Sequence, residues 1–320
     1  MSSALIEGKF CLLSGHRQSG KSTVAYATMR RLSKFVAATK IGGYDQLGYE
    51  VFYISFGSGI IVNEGTTAFW KSLCGRLHVI YGDRFTFNKN EDTTSDTFVS
   101  FFSKITDRTR KPVILIIDEA SKMVDGDKTY NIVTDFISTL RDLRDNNINF
   151  CLHALALIGT ESVREFLLGQ QNPNSQSPIS PFSAEASFES TRFTEADVTS
   201  LLRAYADDSG LKFDLFEISR DIYDRTLGHK GLVGLCCYYL ESVVADGKNN
   251  ISIQDWNLHT PLELLNFIIG KATYARITYA LKELSRKQRH ILGNVLRYGT
   301  FTFSKVGQAV FILAMMSIQY

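Results

Sequence analysis

The chain has 320 residues, is 44% hydrophobic and carries 35 Lys and Arg against 33 Asp and Glu, for a net charge of +2. That length accommodates one large α/β domain or two smaller ones with a substantial core, and the near-balanced charge argues neither for nor against nucleic acid as a partner. The five cysteines, Cys11, Cys74, Cys151, Cys236 and Cys237, show no Cys-x-x-Cys pairing and sit mostly in apolar runs, which argues against a disulfide or zinc framework and for reduced thiols in a reducing compartment.

The N-terminus lacks a basic start followed by an apolar core, so no secretory signal is expected. The best apolar run, Ala309 to Ile318, is shorter than the ~20 residues of a membrane span. A soluble, intracellular, cytoplasmic protein with no membrane partner is expected.

Taken in chain order, Lys9 to Ser14 reads as a buried strand and Ser22 to Phe35 as a helix, with Val24, Ala25, Thr28, Leu32 and Phe35 near helical spacing. Glu50 to Phe56 is the next strand, rich in β-branched and aromatic residues. Helices are predicted over Gly65 to Val79 and Thr97 to Thr106. Pro112 to Ile117 is a strand apolar on both faces, as central parallel strands are. Tyr130 to Arg144 carries Val133, Phe136, Ile137, Leu140 and Leu143 on one helical stripe, and Phe150 to Ile158 is a further strand. Gly169 to Ala184 holds Pro173, Pro178 and Pro181 among Gln, Asn and Ser and is expected to be a mobile loop. Ala186 to Phe193 is a candidate last strand, and Thr194 to Asp197 opens a helix in capping-box style. From there to Arg297 most of the chain reads helical.

The alternation of strand and helix implies a parallel sheet covered on both faces. The expected fold is α/β, a P-loop NTPase three-layer parallel sheet followed by a helical lid. Residues 1–193 form the core with the mobile loop at 169–184, 194–300 the lid, and 301–320 a tail.

Gly15-His16-Arg17-Gln18-Ser19-Gly20-Lys21-Ser22 fits the Walker A pattern Gly-x-x-x-x-Gly-Lys-Ser/Thr, with a strand before it and a helix after it. Such a loop wraps backbone N–H groups around a phosphate chain, and Gly15 and Gly20 allow turns that a Cβ would block. Lys21 is the residue that reaches the β- and γ-phosphates. The Ser22 hydroxyl, followed by Thr23, opens a helix whose N-terminus favours anions and can ligate Mg²⁺.

Asp118-Glu119 closes the Val113 to Ile117 strand, where a Walker B acid would hold Mg²⁺ directly or through water and the adjacent glutamate would polarise attacking water. The Asp-Glu pair and the intervening Glu50 to Phe56 strand resemble the P-loop division with an additional strand and a catalytic glutamate. That division favours ATP over GTP, and no Asn-Lys-x-Asp guanine signature is present.

Ile158-Gly159-Thr160 ends the next strand, and in AAA-type ATPases a polar residue at this first sensor position touches the γ-phosphate or the water. Thr160 fits that role; as an N-cap of the following helix it fits a second. Gly228-His229-Lys230-Gly231-Leu232 resembles the Gly-His-Pro-Gly-Leu segment of archaeal-type and signalling ATPases, with Lys230 in place of proline. His229 either donates to phosphate or merely opens a helix. Arg164 and Arg192 are the candidates for an arginine that stabilises transition-state charge.

Together these segments resemble the AAA-type ATPase-like domain of Crinkler-type proteins of fungi and oomycetes. The resemblance covers roughly residues 1 to 300, and the Gly-His-x-Gly-Leu-Val-Gly segment is its most discriminating part. It implies ATP and Mg²⁺ as cofactors, hydrolysis coupled to conformational change or assembly, and a second copy or another protein as partner. Host cytoplasm or nucleus is the location implied for an effector-like member. Members often add an N-terminal header and a C-terminal nuclease, and neither is expected here, so nuclease activity is not carried over. A signalling switch with little turnover and a nucleic-acid-associated ATPase are the competing readings.

Lys271 to Arg297 concentrates Lys271, Arg276, Lys282, Arg286, Lys287, Arg289 and Arg297 against Glu283. This is either a face for nucleic-acid backbone or a solvated lid helix. Ser285 to Leu292 looks like the opening helix of a truncated winged helix. Phe301 to Tyr320 is either an ordered strand and helix or the end of a shortened gene product.

Overall fold

The computed structural model describes residues 1–38, 48–88, 92–105, 110–124, 130–169, 180–246, 248–260 and 262–298. Contacts divide the chain into two compact units, Met1–Arg192 and Phe193–Tyr320. Among the described residues no helix is long and apolar enough to cross a membrane.

The first unit runs α1 (Ser2–Ile6), β1 (Phe10–Ser14), α2 (Lys21–Ala38), β2 (Glu50–Ser55), α3 (Thr66–Tyr81), α4 (Ser95–Ser100), β3 (Val113–Asp118), α5 (Tyr130–Asp145), β4 (Leu152–Ile158), α6 (Glu161–Gly169) and β5 (Ser187–Glu189). The five strands form one parallel sheet in the order β2-β3-β4-β1-β5. This is the expected α/β arrangement, but the strand that lies between β1 and β3 is β4, while the Glu50–Ser55 strand expected to be the additional one pairs outside β3 at the edge.

Strand period explains the three layers. Ile114, Ile116, Cys11, Leu13, Ala154 and Ala156 pack on one face with Leu5, Ala25 and Leu32 of the α1 and α2 layer. Their alternate neighbours Leu115, Ile117, Leu12, Leu155 and Leu157 pack on the other with Phe69, Trp70, Phe98 and Phe136. That second face is an aromatic cluster: Phe69 meets Phe56 and Phe136 edge to face at 5.9 and 5.6 Å between centroids. The Trp70 indole N–H donates to Asp135 Oδ2 at 2.6 Å, so the buried ring keeps its polar atom satisfied.

Strand β2 lies at an edge of the sheet, where unpaired backbone groups need a partner. Tyr81 supplies it: its hydroxyl accepts from Tyr53 N–H and donates to Tyr53 C=O, both at 2.7 Å.

The predicted helix over 97–106 is corrected. Helix α4 spans only Ser95–Ser100, behind a Thr94 capping box. The backbone beyond it pairs elsewhere, with Lys104 N–H donating to Asn149 C=O, Cys151 N–H to Phe102 C=O, and Ser103 bridging Phe150 antiparallel. Those long-range bonds satisfy the groups a helix would have used. They also occupy Phe150, so β4 starts at Leu152. The last strand is three residues rather than the longer stretch expected from Ala186 to Phe193. Of the loop expected at 169–184, residues 170–179 lie outside the described residues, as does the tail at 301–320.

The second unit holds α7 (Glu195–Ser209), β6 (Lys212–Phe213), α8 (Leu215–Thr226), α9 (Lys230–Tyr239), β7 (Asn250–Ile251), α10 (Ile253–His259), α11 (Glu263–Ile269), α12 (Ala272–Glu283) and α13 (Arg286–Tyr298). Its core gathers Val198, Leu202, Ile218, Ile222, Val233 and Trp256. The Trp256 indole N–H is satisfied by Asp221 Oδ2 at 2.6 Å. The short parallel β6–β7 pair interrupts a region that reads as helical in sequence. Two residues are too few for a periodicity signal, and Lys212 pairs with Asn250 across a long stretch of chain.

Candidate functional site

Parallel strands end together, and their register gathers the loops that follow them. Ser55 pairs with Asp118, and Leu13 with Ile158, so the segments after β1, β2, β3 and β4 meet at one rim. This is the carboxyl-end crevice where open α/β sheets bind ligands.

The loop between β1 and α2 adopts left-handed backbone at Gln18 and Gly20, with φ of 59° and 84°. At Gly15 a Cβ would lie 2.9 Å from Ser19 Oγ and 3.0 Å from Ser190 Cβ, so only glycine fits. Ser190, just after β5, braces this loop by donating its hydroxyl to Ser19 C=O and its N–H to Ser14 C=O. Ser19 Oγ is buried with no hydrogen-bond partner among the described residues. Lys21 Nζ turns into the loop and donates to Gly15 C=O at 2.8 Å and His16 C=O at 2.7 Å. Burial lowers the Lys21 pKa, while the carboxylates of Asp118, Glu119 and Glu161 act to raise it. Arg17, Gln18 and Thr23 are exposed around the loop, and His16 Nδ1 lies 3.0 Å from Arg17 C=O.

Asp118 is 3% exposed. Its Oδ2 accepts from Ser22 Oγ at 2.6 Å and from the Tyr53 hydroxyl at 3.0 Å, and its Oδ1 accepts from Glu119 N–H at 2.7 Å. Burial, a hydrogen bond with Tyr26 and the Asp118 carboxylate together push the Tyr53 phenol far above its ordinary pKa, so it remains a protonated donor. Glu119 follows in left-handed backbone, φ 58°, with an exposed side chain. That strained turn at a strand end aims its carboxylate outward beside the loop at Gly57, where a Cβ would lie 3.3 Å from Glu119 Cγ.

Thr160 donates its N–H to Ser121 Oγ at 2.7 Å and its hydroxyl to the same atom at 3.0 Å, and it shares a 2.6 Å hydrogen bond with Ser162 Oγ. Ser14 Oγ reaches Glu161 Oε2 at 3.5 Å, and Arg164 pairs with the same carboxylate oxygen at 3.7 Å. Arg192 is exposed beyond β5. The structure therefore brings Lys21, Ser22, Asp118, Glu119 and Thr160 to one rim.

In the second unit His229 is the N-cap of α9: its Nδ1 accepts from Leu232 N–H at 3.2 Å. With Nδ1 an acceptor, a neutral His229 carries its proton on Nε2. Gly228 precedes it at φ 71°, where a Cβ would fall 1.9 Å from Phe193 C=O. The segment is tied down further by Phe193 N–H donating to Gly228 C=O and by Lys230 Nζ lying 5.3 Å from the Phe193 ring centroid. Of the basic run, Lys271 packs against Phe267 and Tyr238 at 3.9 and 5.2 Å, and Arg289 Nε donates to Leu284 C=O. Those two are held by their own unit.

Sequence reasoning missed Tyr53, Ser121 and Ser190. Tyr53 lies two residues before the end of β2 and so on the same strand face as Ser55, the one positional signal that points to it.

Two oxygen groups, Asp118 and Ser22, converge, and no cluster of three His, Cys, Asp or Glu able to hold a metal is found among the described residues. That hard, sparse donor set suits Mg²⁺, which keeps several waters and relies on phosphate oxygens for the rest of its shell. The ammonium and glycine turns of the preceding loop suit those phosphates.

No family model and no curated protein matches the chain. Among solved structures it is similar to the Aeropyrum pernix ORC2 protein in ADPNP–ADP complexes, with 12% identity, TM-score 0.58, and coverage of 99% of this chain and 82% of that one. It is similar to a Walker-type ATPase of Pyrococcus abyssi, with 13% identity, TM-score 0.56, and coverage of 99% and 88%. A third similarity is to the Aeropyrum pernix ORC1 protein in complex with DNA, with 11% identity, TM-score 0.52, and coverage of 98% and 74%. At these identities the likeness concerns the fold alone, a five-stranded parallel sheet with helices on both faces followed by a helical unit.

Proposed function

We propose that this chain binds ATP with Mg²⁺ and hydrolyses it, and that hydrolysis drives a conformational change or assembly with a second copy or another protein. The observation that carries this reading is the 2.6 Å hydrogen bond from Ser22 to Asp118, joining the phosphate-loop helix to the strand that ends in Glu119. In this reading residues 1–193 are the catalytic core and 194–300 a lid, and the protein works inside the cell. The Crinkler-type affiliation rests on the sequence segments alone.

Each residue has a task set by its position. Gly15 to Gly20 supply N–H groups to the phosphates, and Lys21 leaves the Gly15 and His16 carbonyls to meet phosphate charge. Ser22 gives its proton to Asp118 and keeps oxygen lone pairs for the cation. When bound, Mg²⁺ neutralises charge on the β- and γ-phosphate oxygens. Glu119 accepts the proton of the attacking water, and Thr160 senses the γ-phosphate. Arg164 or Arg192 supplies the stabilising cation, with Arg164 first having to leave Glu161.

The test is ATP binding and turnover by the purified chain beside Lys21→Ala and Glu119→Gln. Glu119→Gln should keep nucleotide and lose turnover by about 10²–10⁴-fold, whereas Lys21→Ala should lose binding. A wild-type chain that binds no ATP would sink the proposal.

A second reading, a nucleotide-binding switch with little turnover, is favoured by one observation: the Thr160 hydroxyl proton is already given to Ser121. Tight ATP binding with no turnover, unchanged by Glu119→Gln, is its signature. Lys282, Arg286 and Lys287 are exposed, so the assay includes arms with DNA and RNA; stimulation there would make nucleic acid the partner.

A further inference from the structure

We propose that Tyr53 is a positioning residue for the cation: its hydroxyl holds Asp118 so that the carboxylate meets Mg²⁺ through water and at one fixed orientation. The inference rests on the ATP and Mg²⁺ reading above and deepens it.

A carboxylate offers about four lone-pair sites. In Asp118 three are taken, two on Oδ2 by Ser22 and Tyr53 and one on Oδ1 by the Glu119 N–H. A carboxylate with one site left is poorly suited to direct bidentate ligation and well suited to accepting from a cation-bound water. Ser22 and the Glu119 N–H belong to the motifs themselves. Tyr53 comes from a different strand and is the donor that nothing in those motifs demands.

The rest of Tyr53 is immobilised from several directions. Its backbone N–H and C=O are both held by the Tyr81 hydroxyl. Its ring packs against Tyr26 of α2 with centroids 5.0 Å apart, and β2 pairs in register with β3, which carries Asp118. A phenol fixed in this way is a rigid, uncharged arm. It steadies Asp118 without adding a charge that would compete with the cation, which is how outer-shell partners tune metal sites.

The test is Tyr53→Phe, which removes one oxygen and keeps the ring. A fluorescent ATP analogue is bound to the full chain, first in EDTA and then across a Mg²⁺ titration, with circular dichroism as the check on folding. The expected result is metal-free nucleotide affinity within twofold of wild type and a half-saturating Mg²⁺ concentration raised about tenfold. An unchanged Mg²⁺ half-point overturns the proposal. So does an equal loss of metal-free affinity, which would make Tyr53 a support of the loop alone. If the wild-type chain binds no analogue in either condition, the ATP reading itself fails and this inference fails with it. If Tyr53→Phe does not fold, 3-fluorotyrosine at position 53 replaces it as a stronger donor of the same shape. It should move the Mg²⁺ half-point, and no shift would again overturn the proposal.

Discussion

Thr160 places both of its donors on a single atom, Ser121 Oγ, at 2.7 Å from its backbone nitrogen and 3.0 Å from its hydroxyl. The turn after β3 and the turn after β4 are therefore one hydrogen-bonded unit, with Glu119 on one side and Thr160 on the other. Ser121→Ala removes the shared acceptor and leaves a part-buried N–H unpaired. Stability should fall by about 1–3 kcal/mol, read as a lower urea midpoint at unchanged m-value. Ser121→Thr, which keeps the hydroxyl, should recover part of it.

Gly159 has no room for a side chain beside that unit. A Cβ there would lie 2.6 Å from Val163 Cγ2 and 3.0 Å from Ser121 Oγ. Gly159→Ala is expected to cost about 1–3 kcal/mol through overpacking and to lower the melting temperature. A pairing with Val163→Ala should give back part of that loss, because it removes the closest clashing atom.

Gly228→Ala should be the most damaging single substitution in the second unit. The residue sits at φ 71° and a Cβ would penetrate the Phe193 carbonyl at 1.9 Å. The left-handed conformation alone costs about 1–2 kcal/mol for a residue with a Cβ, and the clash adds to it. Hydrogen exchange of α9 amides, measured against those of α5 as an internal reference, should show loss of protection confined to the second unit.

Two capping carboxylates make the second unit sensitive to acid. Asp197 is held below its ordinary pKa first by the Thr194 N–H and then by the Thr194 hydroxyl, and Asp255 first by Lys248 and then by Ser252. A carboxyl with a depressed native pKa binds fewer protons folded than unfolded. Its stabilisation is therefore fully present above the ordinary carboxylate pKa and is lost as pH falls from there through the lower native pKa. Urea midpoints measured from pH 5 down to pH 2 should fall below about pH 4, and Asp197→Asn with Asp255→Asn should flatten that slope. A slope unchanged in the double variant would refute the assignment.

The thiols are protected by burial, which pushes Cys74 and Cys236 up to about 12 and Cys11 and Cys237 up to about 11. Native protein at pH 8 should react with a maleimide far more slowly than protein in 6 M guanidinium. Rapid labelling of the native chain would show the second or first unit opening locally.

Much of the rim is written in short segments. Gly15 to Ser22 needs a glycine where Ser19 and Ser190 approach Gly15, a left-handed glycine at Gly20 and a lysine within one loop, and Val113 to Asp118 announces a buried strand by having no polar residue before its acid. Thr97 to Thr106 shows where such reading breaks. Phe98, Phe101 and Phe102 sit at helix-compatible spacing and all three are buried, yet only Phe98 is helical. The backbone after Phe101 found partners at Asn149 and Cys151, far away in sequence.

The sequence by itself determined strands β1 to β4, the glycine-rich loop after β1 and the acidic strand end, because hydrophobic period, glycine geometry and capping act over a few residues. Tertiary structure alone decided that Tyr53 would reach Asp118 across 65 residues, that Ser121 would take both donors of Thr160 across 39, and that Ser190 would brace Ser19 across 171. Those hydrogen bonds depend on sheet order and register, which set which side chains face one another, and no local pattern of residues encodes that choice.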